Sequence, residues 1–355
     1  MKKIVLTGGG SAGHVTPHIA LLPSLKEQGF DIYYIGSKRG IEKDLISDLG
    51  IPYYGISTGK LRRYFSLKNF IDPFRVLHGM RQAKKLMKKI RPDVVFSKGG
   101  FVSVPVVSAA RKYHIPVVLH ESDMTPGLAN KLMLKSASKL CCNFPETVKH
   151  LPADKAVLTG TPIRTELLQG DAVRGRQIAG LNEDKPIILT MGGSLGATAV
   201  NDMLRRILPE LLKDFQVIHL CGKGKLDPEL KGQKGYVQLE YVTDDLKDLF
   251  AACDLVVSRA GANAICEIAA LGKPNLLIPL SLEASRGDQI LNARSFERQG
   301  FSKVLLEEDM TEESLLTAIR DLYENRYPYI AALSKSEQKD SIRQVMNVIL
   351  GECRV

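Results

Sequence analysis

Residues 185–212 read KPIILTMGGSLGATAVNDMLRRILPELL. A short apolar run, Ile187–Met191, is followed by glycines at 192, 193 and 196, and then by a stretch, Ala197–Leu212, whose apolar residues recur at helical spacing. The pattern is strand, glycine loop, helix. The start of the chain has the same plan. In MKKIVLTGGGSAGHVTPHIALLPSL (residues 1–25), Lys3–Thr7 suits a strand, Gly8–His14 a loop and the remainder a helix. Two such openings in 355 residues predict an α/β protein of two Rossmann-like, doubly wound domains.

Working outward, further strands fit Asp31–Ile35, Val94–Ser97, Val117–His120 and Lys139–Asn143, then Val217–Cys221, Val237–Tyr241, Leu255–Ser258 and Leu276–Pro279. Helix-length stretches separate most of them. The pattern pauses at LTGTPIR (158–164), which divides the chain into residues 1–162 and 163–336; a last helical pattern, about 337–355, is expected to return to the first domain. Ligands of open parallel sheets sit at the carboxyl ends of the strands, at the topological switch point. Two such domains facing across a cleft would suit a reaction between two substrates, one held by each.

Composition sets bounds. The chain is 44% hydrophobic and 25% charged, as expected of a soluble globular protein. The apolar run after Lys2 and Lys3 stops at Gly8, too short for a signal peptide, and nowhere do about 18 apolar residues run together. Six cysteines (141, 142, 221, 253, 266, 353) lack C-x-x-C spacing and read as reduced thiols of a cytoplasmic protein. The net charge of +10 is uneven: residues 1–160 carry 25 Lys+Arg against 11 Asp+Glu, and the remainder 24 against 28. Eleven basic residues and one acid lie between Lys60 and Arg91, so the first half expects an acidic partner.

Four loops follow strands and open helices: Gly8–His14, Gly99–Ser103, Gly192–Gly196 and Arg259–Asn263. Glycine lets backbone approach a ligand, and the first amides of a helix attract anions. One such loop is also what any tight strand-to-helix turn looks like; four in one chain favour anion binding. In the first, Gly8, Gly10 and Gly13 spell the dinucleotide fingerprint, but the second strand runs into Gly36-Ser37-Lys38-Arg39 instead of an acid. Lys38 and Arg39 would accept a 2′-phosphate, which leaves an NADP enzyme open. His14 stands at the mouth of the loop, placed for proton transfer. His14 and His18 are four apart, yet Pro17 lies between them, no third ligand is apparent and no D-x-D occurs, so no metal is expected and, outside the NADP alternative, no cofactor. Glu267, one turn into the helix after Arg259–Asn263, suits two ribose hydroxyls, or is a first-turn carboxylate favoured by the helix dipole.

The segment SLKNFIDPFRVLHGMRQAKKLMKKIRPD (66–93) reads as a helix capped by Ser66. Phe70, Phe74, Leu77, Leu86 and Ile90 recur at helical spacing, with Lys84, Lys85, Lys88 and Lys89 between them, and Arg62, Arg63 and Phe65 just before. Basic residues mixed with aromatics favour an anionic membrane surface over nucleic acid, for which no binding module is visible.

GGGSAGHVTPHIALL, SKGGFVSVP, HESDMTPGLANK, TGTPIR, MGGSLGA and SRAGANAICEIAALGKP, in this order, resemble the MurG family along essentially the whole chain. The resemblance implies a GT-B glycosyltransferase that needs no metal. It would move N-acetylglucosamine from UDP-N-acetylglucosamine to the 4-hydroxyl of the muramoyl sugar of lipid I, with inversion. It also implies a peripheral enzyme at the cytoplasmic face of the membrane, in contact with other wall-synthesis proteins. By position it implies Ser11, Gly10, Gly13 and His14 beside the sugar and acceptor, and Arg164, Gly193, Ser194 and Gly196 at the diphosphate. Thr243 would lie at uracil, Arg259 in the fourth loop's contacts, Glu267 at the ribose and Gln289 at the sugar. His14 is the expected base, with Asp123 and Glu121 as rivals. Asp123 stands where the family has Asn, Val104 replaces a glycine, and LSLEASRG (280–287) holds two extra residues. A diacylglycerol glycosyltransferase, a UDP-sugar epimerase and an NADP oxidoreductase are the alternatives.

Overall fold

A computed structural model describes residues 2–59, 68–181, 184–192 and 196–354, with backbone alone for 68–74. The described chain forms two compact units, Met1–Arg164 with Asp340–Val355, and Thr165–Lys339.

Among the described residues each unit is built on one wholly parallel sheet. The first has seven strands: β1 Lys2–Gly8, β2 Phe30–Ser37, β3 Tyr53–Ile56, β4 Val94–Gly99, β5 Val117–Glu121, β6 Lys139–Cys142 and β7 Ala156–Leu158, in the order β3-β2-β1-β4-β5-β6-β7. The second has six: β8 Ile187–Met191, β9 Gln216–Leu220, β10 Tyr236–Leu239, β11 Leu255–Ser258, β12 Asn275–Leu277 and β13 Lys303–Val304, in the order β10-β9-β8-β11-β12-β13. The short β3, β7 and β13 escape the sequence reading. Each is an edge strand of two to four residues with half-exposed positions, too short to stand out as the apolar run that marks a strand buried on both faces.

Central strands are apolar on both faces because helices cover both. Val5, Val95 and Val117 face Val106, Val107 and Met87. Ile4, Leu6 and Phe96 face Leu21, Leu25 and Ile349. That second layer includes the chain's last helix, Ser341–Glu352, whose Val345, Met346 and Ile349 are buried in the first unit's core. The second unit repeats the design, with Ile188, Val217 and Val257 packed against Leu204, Leu208 and Leu211 of the helix Thr198–Asp214.

The basic segment is helical over Lys68–Ile90. Ala83, Met87 and Ile90 enter the core, Lys85, Lys88 and Arg81 are exposed, and Leu77 is 55% exposed. Arg62, Arg63, Phe65 and Ser66 lie outside the described residues, as do the side chains of Phe70 and Phe74. All six cysteines are free and buried, and no described helix is long and apolar enough to cross a membrane.

Candidate functional site

In the first sheet β1 and β4 are neighbours, and the chain leaves β1 for β2 on the other side. The switch point therefore lies between the loops that follow β1 and β4. Those loops abut. A side chain at Gly100, whose φ is +81°, would run into the carbonyl of Gly9. Gly10, at φ +90°, has open space around it.

A 3-10 turn, Ala12–His14, follows and brings the imidazole of His14 back over the loop. Its Nδ1 lies 2.9 Å from the carbonyl oxygen of Gly9 and 3.0 Å from Ser11 Oγ. A carbonyl only accepts, so this network assigns the proton to Nδ1 and leaves the lone pair on Nε2. Burial, and then the charge of Lys98, hold His14 below the ordinary imidazole range, against the raising influence of Gly9, Asp123 and Glu42. The ring is neutral near pH 7, as a general base must be.

His18 belongs to the core instead. It is fully buried, and its Nδ1 meets the hydroxyl of Tyr34 at 3.2 Å. That hydroxyl donates to the Gly8 carbonyl at 3.0 Å, which fixes His18 Nδ1 as a donor. Among the described residues no three His, Cys, Asp or Glu side chains gather into a metal site.

Beneath the loops lies a residue the sequence reading passed over. Lys98, at the end of β4, is 2% exposed. Its ammonium donates to His120 Nδ1 at 2.7 Å and to Ser122 Oγ at 2.6 Å. His120 gives its Nε2 proton to the carbonyl of Gly160 at 2.8 Å, which leaves Nδ1 to accept. One buried cation thus ties the ends of β4 and β5 to the turn before Arg164. A lysine closing the apolar run VVFS was the available signal, since lysine is almost never buried without partners.

Asp123 is half-buried and is among the charges His14 senses. Glu121, a rival for the proton in the sequence reading, is placed differently. Its buried carboxylate accepts from the amides of Asp123 at 3.1 Å and Gly127 at 2.8 Å, and from Asn130 Nδ2 at 2.9 Å. It pins the 121–127 loop, and burial pushes its pKa up. A cavity of about 510 Å³ opens behind this loop, between Pro126, Lys131, Leu134 and His150; the glycine loops do not line it.

In the second unit the switch point lies between β8 and β11. Gly193 and Ser194 lie outside the described residues. The glycines on either side are closely packed. A side chain at Gly192 would strike the amide of Ala197, and one at Gly196, whose φ is +68°, would strike the carbonyl of Cys221. The helix Thr198–Asp214 starts at once, so its unpaired first amides lie at the carboxyl end of β8.

After β11, the helix Ala262–Ala270 opens on Gly261, beside which a Cβ would meet nothing within 4 Å. Glu267 is half-buried on this helix. Arg259, expected in the fourth loop's contacts, is turned inward and 8% exposed. It donates to the carbonyls of Ile278 at 3.1 Å and Pro279 at 3.2 Å and pairs with Glu307, so it braces the ends of β11 and β12. Gln289 Oε1 accepts from the amide of Leu280 at 3.1 Å, holding the LSLEASRG loop to the helix Asp288–Arg298. Thr243 is exposed just before the helix Leu246–Ala252, and Arg164 is half-buried at the end of the first unit.

Residues 4–141 match the glycosyltransferase family 28 N-terminal domain, and residues 187–346 match its C-terminal domain. The chain is 68% identical over 349 residues to the UDP-N-acetylglucosamine–N-acetylmuramyl-(pentapeptide) pyrophosphoryl-undecaprenol N-acetylglucosamine transferase of Lachnospira eligens, covering 98% of this chain and 99% of that one. To the protein of the same name from Lachnoclostridium phytofermentans it is 61% identical, covering 98% of each. The crystal structure of Acinetobacter baumannii MurG superposes with a TM-score of 0.78 at 27% identity, over 99% of this chain and all of that one.

Proposed function

The chain belongs to glycosyltransferase family 28, and from that premise we propose that it is a MurG-type transferase. It moves N-acetylglucosamine from UDP-N-acetylglucosamine to the 4-hydroxyl of the N-acetylmuramoyl sugar of lipid I, and lipid II is the product. The observation that carries this reading is the likeness, over 349 residues, to transferases of that name. Both curated relatives named above carry that transferase's name. An NADP enzyme would also leave the glycine loops of the second unit without work.

The first unit supplies the acceptor-side chemistry. His14 takes the proton of the attacking hydroxyl on Nε2, the nitrogen its bond to Gly9 leaves bare. The hydroxyl oxygen bonds to the anomeric carbon of the α-linked donor, the bond to the diphosphate breaks, and UDP leaves as the β-1,4 link forms. Ser11, Gly10 and Gly13 lie against the sugars. Asp123, within the field of His14, orients the donor sugar or steadies the imidazolium.

The second unit holds the nucleotide. The first amides of the helices Thr198–Asp214 and Ala262–Ala270, with Gly193, Ser194, Gly196 and Arg164, take the charge that develops on the diphosphate. Glu267 accepts from the ribose hydroxyls, Thr243 meets uracil and Gln289 the sugar. The exposed cations of the helix Lys68–Ile90, with Arg62, Arg63 and Phe65 before it, hold the enzyme to an anionic membrane where the acceptor resides.

The test uses the full chain with radiolabelled UDP-N-acetylglucosamine or UDP-glucose, offered lipid I or diacylglycerol. Label should pass from UDP-N-acetylglucosamine to lipid I alone. Label in diacylglycerol would overturn the reading.

A further inference from the structure

Glu42 has no place in the chemistry described so far, yet it is a fully buried carboxylate beneath the first glycine loop. It sits in the first turn of the helix Ile41–Ser47. Its Oε1 accepts from the amide of Ser37 at 2.9 Å and from Ser37 Oγ at 2.6 Å. Its Oε2 accepts from the amide of Gly10 at 3.3 Å. A Cβ at Gly9 or Gly40 would collide with the carboxylate, so both glycines are required by its presence.

The amide of Gly10 and the carbonyl of Gly9 are two ends of one peptide group. The N–H end donates to Glu42, and the oxygen end accepts from His14 Nδ1. We propose that Glu42 is a positioning residue for His14, acting through the Gly9–Gly10 peptide. The carboxylate fixes the plane of that peptide and polarises it, so its oxygen accepts more strongly from Nδ1. That holds the proton on Nδ1, keeps the lone pair on Nε2, and places a negative charge where it favours the imidazolium formed during transfer. The arrangement has the logic of a carboxylate behind a catalytic histidine, with a peptide group inserted between the two. The inference rests on the proposed role of His14.

His14 senses Lys98, Asp123 and Glu42. On its other side Glu42 faces Tyr34 and Tyr53, with Asp44 beyond, and both phenols are held above their ordinary range by burial first and Glu42 second. Neither phenol changes state near neutral pH, so neither contributes to the acid limb of the rate profile.

The test has two parts. In the wild-type chain, nitrogen NMR of the His14 ring should show the proton on Nδ1. A proton on Nε2 overturns the proposal, and this reading needs neither activity nor a variant. In Glu42→Gln, whose amide presents a donor to one of these donors, kcat should fall roughly ten- to a hundredfold. KM for UDP-N-acetylglucosamine should stay within about twofold, because the nucleotide is held by the other unit, and the acid limb should move to lower pH because a charge that raises the His14 pKa is gone. Ser37→Ala, which spares the bond to Gly10, should keep most of the activity. An unchanged kcat, an unmoved acid limb, or an effect confined to KM would overturn the proposal. If Glu42→Gln does not fold, the wild-type tautomer decides. A wild-type chain without transferase activity would defeat the proposed function and leave the tautomer measurement standing.

Discussion

At the scale of single residues, catalysis depends on which imidazole nitrogen of His14 holds the proton. His14 Nδ1 is committed to a carbonyl, and Nε2 is not. His14→Ala should therefore keep UDP affinity and lower turnover by orders of magnitude; turnover within about tenfold of wild type would exclude general-base catalysis by this residue. Lys98 supplies a second test. Its charge depresses the His14 pKa, so Lys98→Met should shift the acid limb of kcat upward, toward the ordinary imidazole value. The shift should be opposite in sign to that of Glu42→Gln. Equal directions would mean that the charges do not act on His14. His14 was legible in the sequence because it stands beside the glycines that expose it. Glu42 was not, since its bond to Gly10 spans 32 positions. Nor was the inward turn of Arg259, which answers to carbonyls and a glutamate supplied by later elements.

At the scale of elements the helix Lys68–Ile90 divides its work by face. Ala83, Met87 and Ile90 pack into the core, while Arg81, Lys85 and Lys88 lie exposed at spacings of four and three. Each exposed cation near an anionic leaflet contributes about 1 kcal/mol. Replacing these three by alanine should weaken binding to vesicles of anionic lipid by on the order of a hundredfold, without changing turnover of a soluble acceptor analogue. Equal binding of the unaltered chain to neutral and anionic vesicles would remove the electrostatic account. Element-level reading of the sequence was strongest where both faces of a strand are buried, as in β1, β4, β8 and β11. It failed at β3, β7 and β13, where half-exposed edge strands of two to four residues are too short to carry a clear signal.

At the scale of the whole molecule, each unit carries histidines that folding keeps neutral. Burial, and then the charge of Arg205, hold His219 at about 3 in the second unit, and burial holds His18 and His120 well below their ordinary value in the first. Above pH 6.5 these rings are neutral whether the chain is folded or not. Below it the unfolded chain takes up protons that the folded chain refuses, so stability falls as pH drops from 6.5 toward the depressed values. For His219 alone the loss at pH 5 is roughly 2 kcal/mol. Glu121, pushed up by burial, works in the opposite sense, one group against four histidines once His14 is included. The urea midpoint should therefore fall between pH 7.5 and 5; a flat midpoint would contradict the neutral, buried assignment. The two-unit plan itself was legible, because the same strand–loop–helix opening occurs at residue 3 and again at residue 187.

The transfer itself can be read directly in its product. The full chain is incubated with UDP-N-acetylglucosamine and lipid I in anionic vesicles, and the lipid is analysed by mass spectrometry and NMR. The lipid should be lipid I enlarged by one N-acetylglucosamine in β-linkage to the muramoyl 4-oxygen, with UDP released in equal amount. An α-linked product, a sugar attached elsewhere, or UDP released without enlargement of the lipid would contradict the proposed transfer.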